Sequence, residues 1–276
     1  MKIMKKSSYF EPDYYSLNRT ARHSWIQVNN NQAGKFLNRL LPNGKNAEPI
    51  EYDPELFQEL SAVIEEINQK VDWEQDLFRA SYVAFDTETT GLFPFKGDEI
   101  TSLGAVIIEN KRILNQPVYR QLVNPRRPVS AVSQKITGIS DEMLHDQEQI
   151  MPVILNFLRF SGPRILIAHN APFDLAFINI KLGEAIGKRI VNPVIDTVLL
   201  TSALYYYLED YSLENLSSRF DLNLKGRHDA LSDARITASL FLKLLPELEA
   251  KGVRTLSELS RLFSDLDLTK GYPLIY

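Results

Sequence analysis

Ser81-Tyr82-Val83-Ala84-Phe85-Asp86-Thr87-Glu88-Thr89-Thr90-Gly91-Leu92 is the stretch on which the fold turns. Residues 81–86 are a short, apolar, aromatic-rich run and read as a central strand. Two carboxylates follow at its end. Side chains two apart on a strand point to the same face, so Asp86 and Glu88 can converge on one cation. Burying two such groups costs several kcal/mol unless something positive compensates, and open α/β sheets place their sites at strand ends. Taken alone, an acidic pair after a strand is more often a solvated polar turn.

Outward from this strand, residues 101–109 form a second strand, and the polar pair Asn110-Lys111 turns the chain into residues 112–114. A third strand covers about 118–123, and Asn124-Pro125-Arg126-Arg127-Pro128 is a loop. Ser140-Asp141-Glu142 starts a helical stretch whose apolar stripe (Ile150, Val153, Ile154, Phe157, Leu158) ends near Gly162-Pro163. Residues 164–168 are a fourth strand and 172–182 a helix. Val194-Ile195 form a fifth strand, followed by helices over about 197–208, 212–220 and 229–245. This order predicts an α/β fold, a mixed sheet flanked by helices.

Residues 1–76 have a different texture. They are rich in Tyr, Asn, Ser and basic residues and read as a mainly helical or irregular N-terminal extension. Asp53-Pro54-Glu55 is a cap, a first-position proline and an acidic first turn, and Leu56, Leu60, Val63, Ile64, Ile67 and Val71 follow at helical spacing. An amphipathic helix is expected over about 54–71. The segment 247–276 is a short tail with one helix candidate near 255–263.

Composition bounds the chemistry. The chain of 276 residues contains no cysteine, which excludes disulfides, thiolate zinc sites and thiol nucleophiles together. Its four histidines (His23, His145, His169, His228) include no pair at the close spacing of a zinc site. No apolar run approaches the roughly 18 residues that cross a bilayer, and the charged opening Met1-Lys2-Ile3-Met4-Lys5-Lys6 is not followed by an apolar segment. A cytoplasmic protein with no membrane partner is expected. The 31 basic against 35 acidic residues, a net charge of −4, argue at first against a nucleic-acid partner. Metal-binding carboxylates can account for much of that acidity.

Two further signals join the first. His169-Asn170-Ala171-Pro172-Phe173-Asp174 follows the fourth strand, and Pro172 at a helix start puts Asp174 in the first turn, where a carboxylate is also at home without a function. In His228-Asp229-Ala230-Leu231-Ser232-Asp233-Ala234, Asp233 lies close to the packed face marked by Ala230 and Ala234, whereas Asp229 reads as the cap. Four acids and a histidine are the minimal set for two-metal phosphoryl chemistry. Carboxylates suit Mg²⁺ or Mn²⁺, and a near-neutral histidine can take a proton from water. The chain has no GxxxxGK[ST] loop, which favours hydrolysis over nucleotide-driven work.

The segments Phe85–Leu92, Ala168–Asp174 and His228–Ala234 closely resemble the three exonuclease motifs of the DEDDh family of 3′–5′ exonucleases, in particular the group of the DNA polymerase III epsilon subunit. The resemblance covers about residues 80–246. Ile136-Thr137-Gly138-Ile139 and Asp196-Thr197 are secondary similarities. It implies a ribonuclease H-like fold and a domain at about 77–246. It implies two divalent cations held by Asp86, Glu88, Asp174 and Asp233, with Asp86 bridging both. His228 would be the general base, with Glu88 in the catalytic set. Thr87, Thr89, Gly91 and Leu92 would hold the terminal nucleotide, and Asn170 and Phe173 would shape its pocket. The implied partner is nucleic acid with a free 3′ end, DNA ahead of RNA, cut to nucleoside 5′-monophosphates in repair, proofreading or turnover. Two bound cations would roughly cancel the net charge. The alternatives are an RNA-trimming or oligoribonucleotide-degrading relative, and a polymerase-associated subunit recruited through residues 1–76.

Overall fold

In the computed structural model, which describes residues 53–264, the deciding stretch is strand β1 (Tyr82–Thr89), and it runs through both acids instead of stopping at Asp86. Pairing sustains it. Antiparallel β2 (Ile100–Glu109) follows β1 residue by residue until the register slips between Glu88 and Thr89. Strand β3 (Arg112–Leu122) is one continuous strand where the sequence suggests two pieces split around Pro117. It lies at the edge of the sheet, where a proline without an N–H is tolerated. Strands β4 (Ile165–Ala168) and β5 (Val194–Asp196) run parallel to β1, giving the order β3-β2-β1-β4-β5. The C-terminal ends of β1, β4 and β5 therefore open on the same edge, the edge that carries all three motifs.

Nine α-helices complete the described residues: α1 (Pro54–Gln69), α2 (Ala131–Thr137), α3 (Asp141–Leu144), α4 (Ile150–Ser161), α5 (Ala171–Ile186), α6 (Thr197–Leu204), α7 (Leu213–Arg219), α8 (Ala230–Ala250) and α9 (Leu256–Ser264). The two-residue period of β1 sorts them into layers. Val83 and Phe85 face a layer built from α4, α5 and α1, with Phe85 against Phe157 at 5.3 Å between ring centroids. Tyr82 and Ala84 face the opposite layer of α8, α6 and α9, with Tyr82 against Phe241 at 4.8 Å. Burying β1 on both faces is what makes its apolar half continuous in sequence.

The apolar stripe of α1 is covered within the chain. Leu60, Ile64 and Ile67 are buried in the cluster that contains Ile154, Phe157 and Leu158 of α4. At the other end, Leu256 and Leu259 of α9 are buried with the α8 residues, and Leu262 and Phe263 pack partly against them. Among the described residues no helix is long and apolar enough to cross a membrane.

Helix α2 follows the loop over 124–128, in a stretch to which the sequence assigns no element. Ser130 caps it by accepting the Ser133 N–H at 3.1 Å, and Gly138, at φ 73°, ends it. Its Val132 and Ile136 are exposed while Ser133 is buried, so the usual apolar-inside pattern is inverted and gives no helical signal. Ser133 donates its hydroxyl hydrogen bond to the Thr89 carbonyl, tying α2 to the end of β1.

Candidate active site

Strand alternation puts Asp86 and Glu88 on the face that carries Tyr82 and Ala84, the face covered by α8. Gly104 on β2 stands opposite Asp86. The first turn of α8 lies directly on it: a Cβ at Gly104 would come within 2.2 Å of the Leu231 nitrogen and 2.4 Å of the Ala230 carbonyl carbon. This close approach brings Asp233 up to the strand. One carboxylate oxygen each from Asp86, Glu88 and Asp233 lie within 4.8 Å of one another. Asp229 is the cap of α8, accepting the Ser232 N–H at 3.0 Å, and also pairs with Arg120 at 2.7 Å.

Asp174 arrives from the other layer. It sits in the first turn of α5, behind Pro172, and is 3% exposed. Its Oδ1 accepts from the Thr87 backbone N–H at 2.9 Å and the Thr87 hydroxyl at 2.6 Å. Thr87 alternates away from Asp86 and Glu88, and so reaches α5. The start of α5 is fixed by Asp196 at the end of β5, which accepts from the backbone N–H groups of Asn170 and Ala171 at 3.1 Å each and of Val198 at 2.8 Å. Thr87→Val keeps the β-branched shape but removes one donor from a buried carboxylate. It is expected to cost about 1–3 kcal/mol, read as a lowered midpoint in chemical denaturation. An unchanged midpoint would show that the hydroxyl does not hold Asp174.

The electrostatics of this edge are unfavourable without a cation. Burial is the first cause of the upward shift of Asp86, and the charges of Asp174, Asp233 and Glu88 add to it. Glu88 is pushed up to about 8 by burial and then by Asp233. Asp174 is also raised by burial, against the hydrogen bonds from Thr87. Asp233 is raised by burial in spite of the Arg227 guanidinium beside it. Its Oδ1 is buried with no hydrogen-bond partner among the described residues. Close oxygen-only donors, Asp233 buried and Asp86 and Glu88 partly buried, with one oxygen unsatisfied, are a donor set that fits a hard divalent cation.

The remaining expected site residues are distributed as follows. His228 is half-buried in the left-handed conformation (φ 64°), and its backbone N–H donates to Asp233 Oδ2 at 3.1 Å. The Thr89 hydroxyl donates to the Gly91 carbonyl at 2.6 Å. Gly91 is backed by the Asp98 carboxylate, 2.4 Å from where a Cβ would stand, so a larger residue there would have to displace that side chain. Leu92 is exposed beside Phe93 and Phe95. Asn170 is the left-handed residue that starts α5 (φ 63°). Phe173 is partly buried and packs edge-on against Phe177 at 5.1 Å. His169 is not in the acid group: its Nδ1 meets the Thr197 hydroxyl at 2.8 Å, and burial pushes it down to about 4.

Three further residues matter to the site's geometry. Gly104 and Glu214 carry no local sequence signal, since a glycine in a strand and an acid in the first turn of a helix are ordinary. Asp196 could be found from its position, an acid at a strand end directly before a helix. Of the basic residues near the motifs, Arg127 pairs with Asp98 at 3.2 Å and Arg164 with Glu109 at 3.3 Å. Arg227 bridges Glu214 and Asp233.

The family model described as exonuclease (RNase_T) matches residues 83–241. The chain is 44% identical over 184 residues to a DNA polymerase III subunit epsilon-like protein of Rhodobacter capsulatus, covering 66% of this chain and 26% of that protein. It is 38% identical over 187 residues to the PolC-type DNA polymerase III of Caldanaerobacter subterraneus subsp. tengcongensis, covering 68% of this chain and 13% of that protein. The chain thus spans about a quarter or less of the length of these two relatives. Among solved structures, Exonuclease X in complex with 5′ overhanging duplex DNA superposes with a TM-score of 0.52 at 26% identity, over 66% of this chain and 99% of that one. The nuclease domain of 3′hExo, a DEDDh family member bound to rAMP, gives 0.53 at 18% identity, over 63% and 95%, a likeness of fold.

Proposed function

The chain belongs to the exonuclease family, and we propose that it is a divalent-cation-dependent 3′–5′ exonuclease that hydrolyses DNA and releases nucleoside 5′-monophosphates. The observation that carries this reading is the convergence of Asp86, Glu88 and Asp233 within 4.8 Å; Asp174 lies outside that group, hydrogen-bonded to Thr87 and near enough for its charge to raise Asp86. In this reading Asp86, Glu88, Asp174 and Asp233 would hold two divalent cations, Mg²⁺ or Mn²⁺, and Asp86, on which the charges of the other three acids act, would be the ligand common to both. Bound cations would supply the positive charge that polarises the phosphate and stabilises its developing negative charge. His228 accepts the proton of the attacking water. The water oxygen bonds to phosphorus, and the bond from phosphorus to the preceding 3′ oxygen breaks. Thr87 holds Asp174 through its backbone N–H and its hydroxyl. Thr89 and Gly91 shape the turn after β1, and Leu92 offers the terminal base an apolar surface. Asn170 and Phe173 act at the start of α5.

DNA is favoured over RNA by the polymerase III relatives and by Exonuclease X in complex with DNA. Recruitment through residues 1–76 loses the α1 stripe as its surface, because α4 covers it; residues 1–52 lie outside the described residues.

His228→Ala is expected to lower turnover about 10²–10⁴-fold, the range of a general base, with cation affinity within about twofold of wild type. Single-turnover rates and Mn²⁺ titration calorimetry check the two halves. A matched loss of cation binding would instead make His228 a ligand or a support. The reading as a whole is tested by a degradation profile across single-stranded, duplex and mismatched DNA and single-stranded RNA. DNA strands are expected to shorten from the 3′ end fastest; faster loss of RNA would overturn the substrate assignment.

A further inference from the structure

We infer that Arg227 is an internal placeholder cation, which occupies the Asp233 carboxylate until a divalent cation displaces it onto Glu214. The inference rests on the cation site proposed above and concerns a residue with no role in that proposal.

Arg227 lies immediately before His228 and is partly buried. One terminal nitrogen donates to Asp233 Oδ2. The Nε donates to Glu214 Oε1 at 2.9 Å, and the other terminal nitrogen donates to the same oxygen. The guanidinium therefore spans an acid of the cation site and an acid outside it. A lysine, with a single ammonium, cannot reproduce that fork. Asp233 Oδ2 also accepts the His228 backbone N–H at 3.1 Å, so it already has two donors, while its Oδ1 has none.

Charge explains why a cation of the chain's own is needed. Four acids crowd one sheet edge, and Arg227 opposes the upward shift of Asp86, Glu88 and Asp233 alike. An arginine is protonated at every accessible pH, so it supplies this compensation constantly. A divalent cation entering at the free Oδ1 places its charge beside the guanidinium on Oδ2, and the two repel across the Asp233 carboxylate. Glu214, on α7 and more than half exposed at its side chain, retains Arg227 once Asp233 is taken. The arginine is a positioning residue: it acts through Asp233 and sets how tightly the site binds cations.

The test is Mn²⁺ titration calorimetry on wild type, Arg227→Gln, Glu214→Gln and the double variant of the full chain. Arg227→Gln is expected to bind Mn²⁺ about tenfold tighter, the equivalent of ~1.4 kcal/mol, and Glu214→Gln several-fold more weakly. Simple removal of charges would make the two effects additive. A placeholder makes Glu214 act through Arg227, so the double variant must match Arg227→Gln alone. Unchanged or weaker Mn²⁺ binding by Arg227→Gln overturns the inference, and so does a full-sized Glu214 effect in the double variant. A measurement on wild type avoids variants that fail to fold: the Arg227 Nε–H NMR resonance must shift over the same Mg²⁺ concentrations that fill the site, and a static resonance overturns the inference. If wild type neither binds Mn²⁺ nor degrades DNA, the parent proposal fails. If it does both while the arginine result is negative, only the placeholder fails.

Discussion

Asp86→Asn is expected to reduce cation-dependent DNA hydrolysis by at least about 10³-fold, equivalent to ~4 kcal/mol of transition-state stabilisation, while making the cation-free protein more stable. Both effects follow from one position. Asp86 lies on the strand face shared with Glu88 and meets Asp233 across the Gly104 gap, and the charges of all three other acids press on it. In the proposed reading it is the shared cation ligand, so an amide there weakens both positions at once. Without cations the same carboxylate is a source of repulsion, and replacing it with a neutral isostere relieves that repulsion. The gain is on the order of 1 kcal/mol, or roughly 2–4 °C in Tm for a domain of this size. Thermal melts with chelator and single-turnover assays with Mn²⁺ check the pair. A variant that keeps more than a tenth of wild-type activity would remove Asp86 from the centre of the site.

The second large effect is expected at a residue that touches no substrate. Gly104→Ala would place a methyl group 2.2–2.5 Å from the Leu231 nitrogen, the Ala230 carbonyl carbon and the Leu231 Cα. These are backbone atoms of the first α8 turn, so no rotamer change relieves the contact. Restoring ordinary separations near 3.5 Å requires α8 to retreat by about 1 Å. Overpacking of this kind costs about 1–3 kcal/mol. The retreat also carries Asp233 and the His228 loop away from Asp86. A misplacement of about 1 Å can cost about 10²-fold in rate, so activity is expected to fall by that order even in protein that remains folded. Activity within twofold of wild type, measured well below Tm, would show that the α8–β2 contact does not set the site.

The placement of the candidate acids was legible in the sequence because it is tied to local periods. Strand and helix spacing put two acids two residues apart at a strand end, an acid in the first turn of a proline-started helix, and an acid near the packed face of a capped helix; their reading as one cation site came from the resemblance of the three motifs taken together. What escaped depends on residues far apart in the chain. Gly104 matters only because α8, more than 120 residues later, lies against it. Glu214 matters only because the loop before α8 brings Arg227 back to α7. The hydrogen bond of Thr87 to Asp174 depends on strand alternation aiming Thr87 at α5, which lies more than 80 residues later in the chain. Helix α2 gives no periodic signal because its exposed Val132 and Ile136 and buried Ser133 invert the usual pattern. Strand β3 was split at Pro117 because edge position cannot be read before the sheet order is known.

The most direct measurement is product analysis from a 5′-labelled single-stranded DNA incubated with Mn²⁺ and either wild-type protein or Asp86→Asn. The proposed function predicts a ladder shortened one nucleotide at a time from the 3′ end, release of nucleoside 5′-monophosphates, and neither with the variant. An intact strand with wild type, products bearing 3′ phosphates, or the same ladder from Asp86→Asn would contradict it.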